Sequence, residues 1–231
     1  MIVNDTFVDL DNFNRLVIPP TNTHLLVAGR TGSGKTRATL FLIAKSLLQN
    51  PSVDFHFSDF KNGGDYNFAI PDGHLLNVDN TIDDALMMLK SRQAGLPDRY
   101  PYIAVLDEYP SFILSLESKM RKEYQSKLAT LLNLGRAFEI HVWVVTQRPG
   151  AELFANGSRD NFNCRIVMGT SSPETRRMVL GDDAGDMPAD WLNNGIGQGL
   201  IYRDGIGINH ISVPQVNWMK LNTFLKNSFE K

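Results

Sequence analysis

Gly29-Arg30-Thr31-Gly32-Ser33-Gly34-Lys35-Thr36 follows the apolar run His24-Leu25-Leu26-Val27-Ala28 and precedes a helically spaced stretch, Lys35 to Leu48. A full G-x-x-x-x-G-K-[ST] pattern between a strand and a helix is a phosphate loop. Glycines let the backbone wrap a phosphate chain without Cβ clashes. Successive backbone N–H groups and the helix N-terminus supply positive potential. Lys35 is expected to reach the β- and γ-phosphates of ATP, and the Thr36 hydroxyl to ligate Mg²⁺. Gly29, Arg30, Thr31, Gly32, Ser33 and Gly34 complete the nucleotide-binding loop. A glycine-rich turn without a ligand is the plain alternative.

Working outward, strand-like and helix-like segments alternate. Val53 to Phe57 reads as a second strand and Thr81 to Gln93 as a helix, with Thr81 as its N-cap. Tyr102 to Leu106 is an apolar run suited to a strand buried on both faces. Ser118 to Phe138 reads as a helix, His141 to Val145 as the next strand and Arg165 to Met168 as another. Gly199 to Tyr202 with Ile208 to Val213 form a late hairpin, and Asn217 to Phe229 a terminal helix. The order implies an α/β fold with a mainly parallel central sheet flanked by helices. Such sheets bind ligands at the carboxyl ends of their strands, so the chemistry is expected just after Ala28, Phe57, Leu106 and Val145.

Each of those strand ends carries polar residues. Leu106-Asp107-Glu108 places two carboxylates after the third strand. Asp107 is the expected magnesium-side partner of the loop, and Glu108 the general base for a water attacking the γ-phosphate. Thr146-Gln147-Arg148-Pro149 follows the fourth strand. Gln147 can bond the γ-phosphate or the water, and Arg148 can neutralise transition-state charge. Asp59-Phe60-Lys61-Asn62-Gly63-Gly64-Asp65 follows the second strand, with Asp59 and Lys61 facing the cleft. Read singly, each of these could be a solvated turn.

Taken together the segments resemble the FtsK/SpoIIIE family of DNA-translocating ATPases, within the FtsK–HerA class. The resemblance rests on Gly29 to Thr36, Asp59 to Asp65, Ile103 to Glu108, and above all Gly135 to Pro149, which ends in Thr-Gln-Arg-Pro. It continues through Asn163-Cys164-Arg165-Ile166 to Leu180-Gly181. It implies a RecA-like P-loop motor over residues 22–231, behind an N-terminal extension of residues 1–21. It further implies a homo-oligomeric, hexameric ring around double-stranded DNA. An arginine from the neighbouring subunit would complete each site, with Arg148, Arg165 and the Arg176-Arg177 pair as candidates. The chain looks like a minimal version, similar to those of plasmids, conjugative elements or phages. Partner proteins are then expected to supply membrane location or DNA specificity. Alternatives are a phage packaging or export ATPase, and a nucleotide-gated adaptor that moves no DNA.

Composition bounds these readings. With 231 residues, 42% of them hydrophobic, the chain can build one large core. A net charge of −2 gives no global basic field, so DNA contacts must come from a local patch. The single cysteine, Cys164, excludes an internal disulfide and is expected to be buried. Met1 to Asp5 lacks the basic start of a signal peptide, and a cytoplasmic location is expected. Lys119, Arg121, Lys122 and Lys127 form either a phosphate-tracking surface or a solvated helix face balanced by Glu117 and Glu123. The five histidines are scattered without zinc spacing, so no zinc site is expected. Asp182 to Asp186 matches a calcium loop only loosely.

Overall fold

The computed structural model describes residues 6–16, 23–97, 99–185 and 187–230. Met1 to Asp5 and Asp186 lie outside them. The strands are β1 (Phe7–Asp9), β2 (Arg15–Leu16), β3 (Leu25–Gly29), β4 (Asp54–Asp59), β5 (Leu75–Leu76), β6 (Tyr102–Asp107), β7 (Ile140–Thr146), β8 (Cys164–Met168), β9 (Gln198–Arg203) and β10 (Gly207–Ser212). They form a single sheet in the order β2-β1-β10-β9-β8-β3-β7-β6-β4-β5. From β8 to β5 the pairing is parallel, and from β8 to β2 it is antiparallel. The fold is therefore α/β with a mainly parallel sheet at its centre.

The parallel strands are apolar throughout because both faces are covered. Val27, Val105 and Trp143 pack on one side with α1 (Lys35–Gln49) and α6 (Trp218–Ser228). Leu26, Ala28, Leu106 and Val144 face the other. There they meet α2 (Val78–Gln93), α3 (Tyr109–Ser115), α4 (Ser118–Leu134) and α5 (Pro173–Leu180). Each large side chain buried in this way stabilises the fold by roughly 1.5–3 kcal/mol.

Several boundaries differ from the sequence reading. Residues 7–16, read as part of an extension, pair into the sheet beside β10. The second helix starts at Val78, after Asn77, rather than at Thr81. Thr81 is fully buried and its hydroxyl donates to the Asn77 carbonyl at 3.0 Å, so it is an interior residue and not a cap. The stretch to Phe138 divides, with α4 ending at Leu134 and a 3-10 turn over Gly135–Phe138. No described helix is long and apolar enough to cross a membrane.

Candidate nucleotide site

The carboxyl ends of β3, β4, β6 and β7 lie side by side, and the segments after them converge. The loop after β3 turns through Gly32 (φ 80°) and Gly34 (φ 99°) before α1 begins. It is held from behind by distant parts of the chain. The Gly197 N–H donates to the Ser33 carbonyl at 3.0 Å, and the Val213 N–H donates to Gly197 at 2.8 Å. A Cβ on Gly29 would stand 2.6 Å from the Met168 carbonyl oxygen, and one on Gly169 would stand 2.8 Å from the Ser33 Cβ. The loop is thus wedged against β8 and the entry to β9, and glycine is required for the close approach. Arg30, Thr31 and Gly32 are exposed at its tip. The Ser33 hydroxyl is buried without a partner, and the Lys35 ammonium rests 3.5 Å from the Arg30 carbonyl. A cavity of about 350 Å³ opens beside Gly32, Gly34, Lys35 and Thr36, with Ile196 on its wall.

Acidic residues close the other side. The Thr36 hydroxyl donates to Asp65 Oδ2 at 3.3 Å, and Asp59 Oδ2 accepts the Gly64 N–H at 3.0 Å. Asp107 ends β6. Burial, then Glu108 and Asp59, push its carboxyl up to about 7, with Lys35 opposing. Lys35 is itself held below its ordinary value by burial, against the pull of Glu108 and Asp107. Glu108 occupies a left-handed conformation (φ 55°) at the start of α3 and is buried. Its N–H donates to Val145 at 2.8 Å, which ties it to β7. Its Oε1 lies 3.0 Å from Lys61 Nζ, and Ser111 Oγ donates to its Oε2 at 3.5 Å. Four carboxylates (Asp59, Asp65, Asp107, Glu108) thus share two lysines. Hard oxygen ligands with an excess of negative charge suit Mg²⁺, and Thr36, Asp107 and Asp65 supply oxygens that could hold it.

The remaining candidates divide. Gln147 is half-buried and Arg148 exposed, both on the turn after β7, where the Arg148 N–H donates to the Thr146 hydroxyl. Arg165 is committed elsewhere. Its guanidinium donates to the Phe162 and Val179 carbonyls at 2.9 and 3.2 Å and stacks 4.5 Å from the Tyr202 ring. These bonds brace β8 against α5 and β9 within the subunit, so the structure does not bring Arg165 to the phosphate loop. Arg176 is buried and donates to the Ser171 carbonyl, whereas Arg177 is exposed. In the basic stretch, Lys127 bridges Asp83 and Glu123, and Arg121 donates to Ile113 and Leu116. Both are structural, and Lys119 and Lys122 stay exposed. Cys164 is buried. Asp65 and Ile196 are additions to the sequence reading. The first stood in a segment already singled out, and the second comes from a loop more than 150 residues away.

This is the fold of a P-loop ATPase. No family model matches the chain, but relatives and solved structures do. The chain is similar to FtsK-domain proteins. It is 29% identical over 180 residues to the FtsK domain-containing protein YdcQ of Bacillus subtilis, covering 69% of this chain and 37% of that one. It is 26% identical over 200 residues to the DNA translocase FtsK of Borreliella burgdorferi, covering 71% and 24%. The pCW3 conjugation coupling protein TcpA, in its monomer form with ATPγS, superposes with a TM-score of 0.72 at 21% identity, over 97% of this chain and 70% of that one. The chain therefore spans well under half the length of these two relatives.

Proposed function

We propose that the protein hydrolyses ATP and uses the cycle to move double-stranded DNA, in conjugative transfer or plasmid handling, as a homo-oligomeric ring. The carrying observation is the convergence of Lys35, Thr36, Asp107 and a Lys61-held Glu108 on one row of strand ends. Similarity to FtsK-domain proteins supports the DNA substrate.

The loop from Gly29 to Thr36 takes the triphosphate on its N–H groups, and Lys35 spans the β- and γ-phosphates. Mg²⁺, held by Thr36 and Asp107, would neutralise charge on the phosphate oxygens. Ile196 offers an apolar wall for the ribose or base. Glu108 takes a proton from the attacking water as the water oxygen bonds to the γ-phosphorus. The bond to the β–γ bridging oxygen breaks, leaving ADP and phosphate. Lys61 holds Oε1, which leaves Oε2 to the water. Gln147 orients that water. Exposed Arg148 and Arg177 serve a neighbouring subunit, a role for which Arg165 would first have to give up its internal bonds.

The test is ATP turnover with and without duplex DNA, at low salt and at concentrations that permit rings. DNA stimulation, and mass growth to a ring with ATPγS and duplex, are expected. DNA binding should fall steeply with salt, since it rests on phosphate neutralisation. Equal rates with and without DNA would overturn the translocase reading and leave the adaptor reading standing. Membrane recruitment by a partner belongs to the same proposal and is tested by capture from a membrane fraction.

A further inference from the structure

At the opposite end of β4 from the nucleotide site, three metal-ligating side chains stand together. Asp54 and His56, two apart on one strand, share a face. His74 immediately precedes β5, and the pairing of Phe57 with Leu75 sets it beside His56. His56 Nε2 lies 3.1 Å from Asp54 Oδ2, and His74 Nδ1 lies 3.6 Å from Asp54 Oδ1. The two imidazole centroids are 4.9 Å apart. One atom from each of the three residues falls within 4.8 Å of the others, the one such trio of metal-ligating residues among the described residues. Residue order offers no reason to expect zinc, because the ligands come from β4 and from the residue before β5, brought together only by the sheet.

We infer that Asp54, His56 and His74 form a binding site for a divalent transition-metal ion, zinc being the best fit. Ligands at about 2.0–2.1 Å from a tetrahedral Zn²⁺ lie about 3.3 Å from one another, close to the 3.1 Å between His56 Nε2 and Asp54 Oδ2. Two imidazoles and one carboxylate suit zinc and leave a fourth position for water. The surroundings fit as well. His74 Nδ1 donates to the Phe55 carbonyl at 2.7 Å, the kind of outer bond that orients a histidine ligating through its Nε2. The His56 ring is fixed by stacking 4.5 Å from Tyr102, while its Nδ1 is buried and has no partner. Asp54 and His74 also border a cavity of about 670 Å³, with Asp72 and Phe229 on its rim, which gives a hydrated ion a way in.

The site has a purpose in the fold. β5 is two residues long, a weak edge on its own. Between Asp59 and His74 the chain makes one excursion, carrying Lys61 and Asp65 to the nucleotide site. An ion joining His74 to β4 ties down the return of that excursion.

The test uses the untagged chain, stripped with a chelator and titrated with Zn²⁺ against a chromophoric competitor. One equivalent should bind at submicromolar Kd and raise Tm. His56→Gln together with His74→Gln should weaken binding by at least about 100-fold, beyond the 10–100-fold range of outer-shell changes. Co²⁺ loaded into the wild-type chain should give the intense visible bands of a four- or five-coordinate site, a readout that needs no variant to fold. Weak octahedral Co²⁺ bands, or zinc affinity equal in wild type and double variant, would overturn the assignment. ATP turnover is not part of this test, so the two proposals stand or fall separately.

Discussion

Lys61 Nζ lies 3.0 Å from Glu108 Oε1, joining the turn after β4 to the first residue past β6. The carboxylate is almost wholly buried and the lysine half exposed, with side chains 9% and 48% accessible. The pair bridges two strand ends that sequence alone lists 47 positions apart. Lys61→Met should lower kcat for ATP by roughly 10-fold or more while KM changes little, because the lysine orients the base and does not hold the nucleotide. Glu108→Gln should cost about 10²–10⁴-fold in kcat with ATP binding retained. Steady-state kinetics together with a fluorescent ATP analogue measure both. A Lys61→Met effect confined to KM would remove lysine from the positioning role.

Arg148 and Arg165 should separate cleanly. Arg148→Ala is expected to leave Tm within a degree or two and to abolish turnover of assembled rings. Arg165→Ala should lower Tm by several degrees, since it deletes two carbonyl bonds and a ring contact, each worth about 0.5–1.5 kcal/mol. Melting curves and mixed-subunit turnover distinguish them: Arg148→Ala subunits should be rescued by Lys35→Ala partners if the arginine works across the boundary.

Gly34→Ala should weaken nucleotide binding. The position is left-handed at φ 99°, and its Cβ would stand 3.1 Å from the Gly197 backbone nitrogen. Strain of about 1–3 kcal/mol would fall on the loop itself. Isothermal titration with ATPγS should show at least a 10-fold loss of affinity, with the rest of the domain still folded by circular dichroism.

Acid should unfold the protein early. His24 and His141 are buried side by side, their ring centroids 5.8 Å apart. Burial, then mutual and Arg136 repulsion, lower His24 to about 3; burial, then Arg136 and Arg92, lower His141 to about 3. Both are neutral when folded, whereas the unfolded chain takes up protons below 6.5. Stability is therefore complete above pH 6.5 and is lost as pH falls from 6.5 toward 3, at up to about 1.4 kcal/mol per pH unit for each ring. Urea melts from pH 7 to 4.5 should show that slope, and His141→Leu should flatten it by about half. A stability independent of pH in this window would contradict the neutral pair.

Much of this arrangement could be read from residue order. The alternation that packs Val27 and Leu26 on opposite faces marks β3 as a central strand, and Gly29 to Thr36 marks its end. The acidic pair at Asp107-Glu108 lies where parallel-sheet geometry puts ligands. The short helices were not legible. Seven residues at Tyr109–Ser115 are too few for a period, although Pro110 near the start was a signal. At α5 the Ser172 side chain accepts the Thr175 N–H at 3.1 Å, a cap that its neighbour Pro173 also announces. What no single segment carries is pairing across the chain. Thr36 with Asp65, His56 with His74, and β1 with β10 depend on which strands become neighbours. Arg165 shows the converse: its residue type suggested charge chemistry, and its neighbours spend it on carbonyls.

The bond from Gly197 to Ser33 has a mechanical meaning. Ser33 lies in the loop proposed to take the triphosphate. Gly197 immediately precedes β9, which carries β10, β1 and β2 in turn. Any displacement of the loop therefore pulls on a four-strand antiparallel flank, a lever arm whose far end is the sheet edge at Arg15–Leu16. A label on that edge would read the state of a nucleotide bound on the other side of β8.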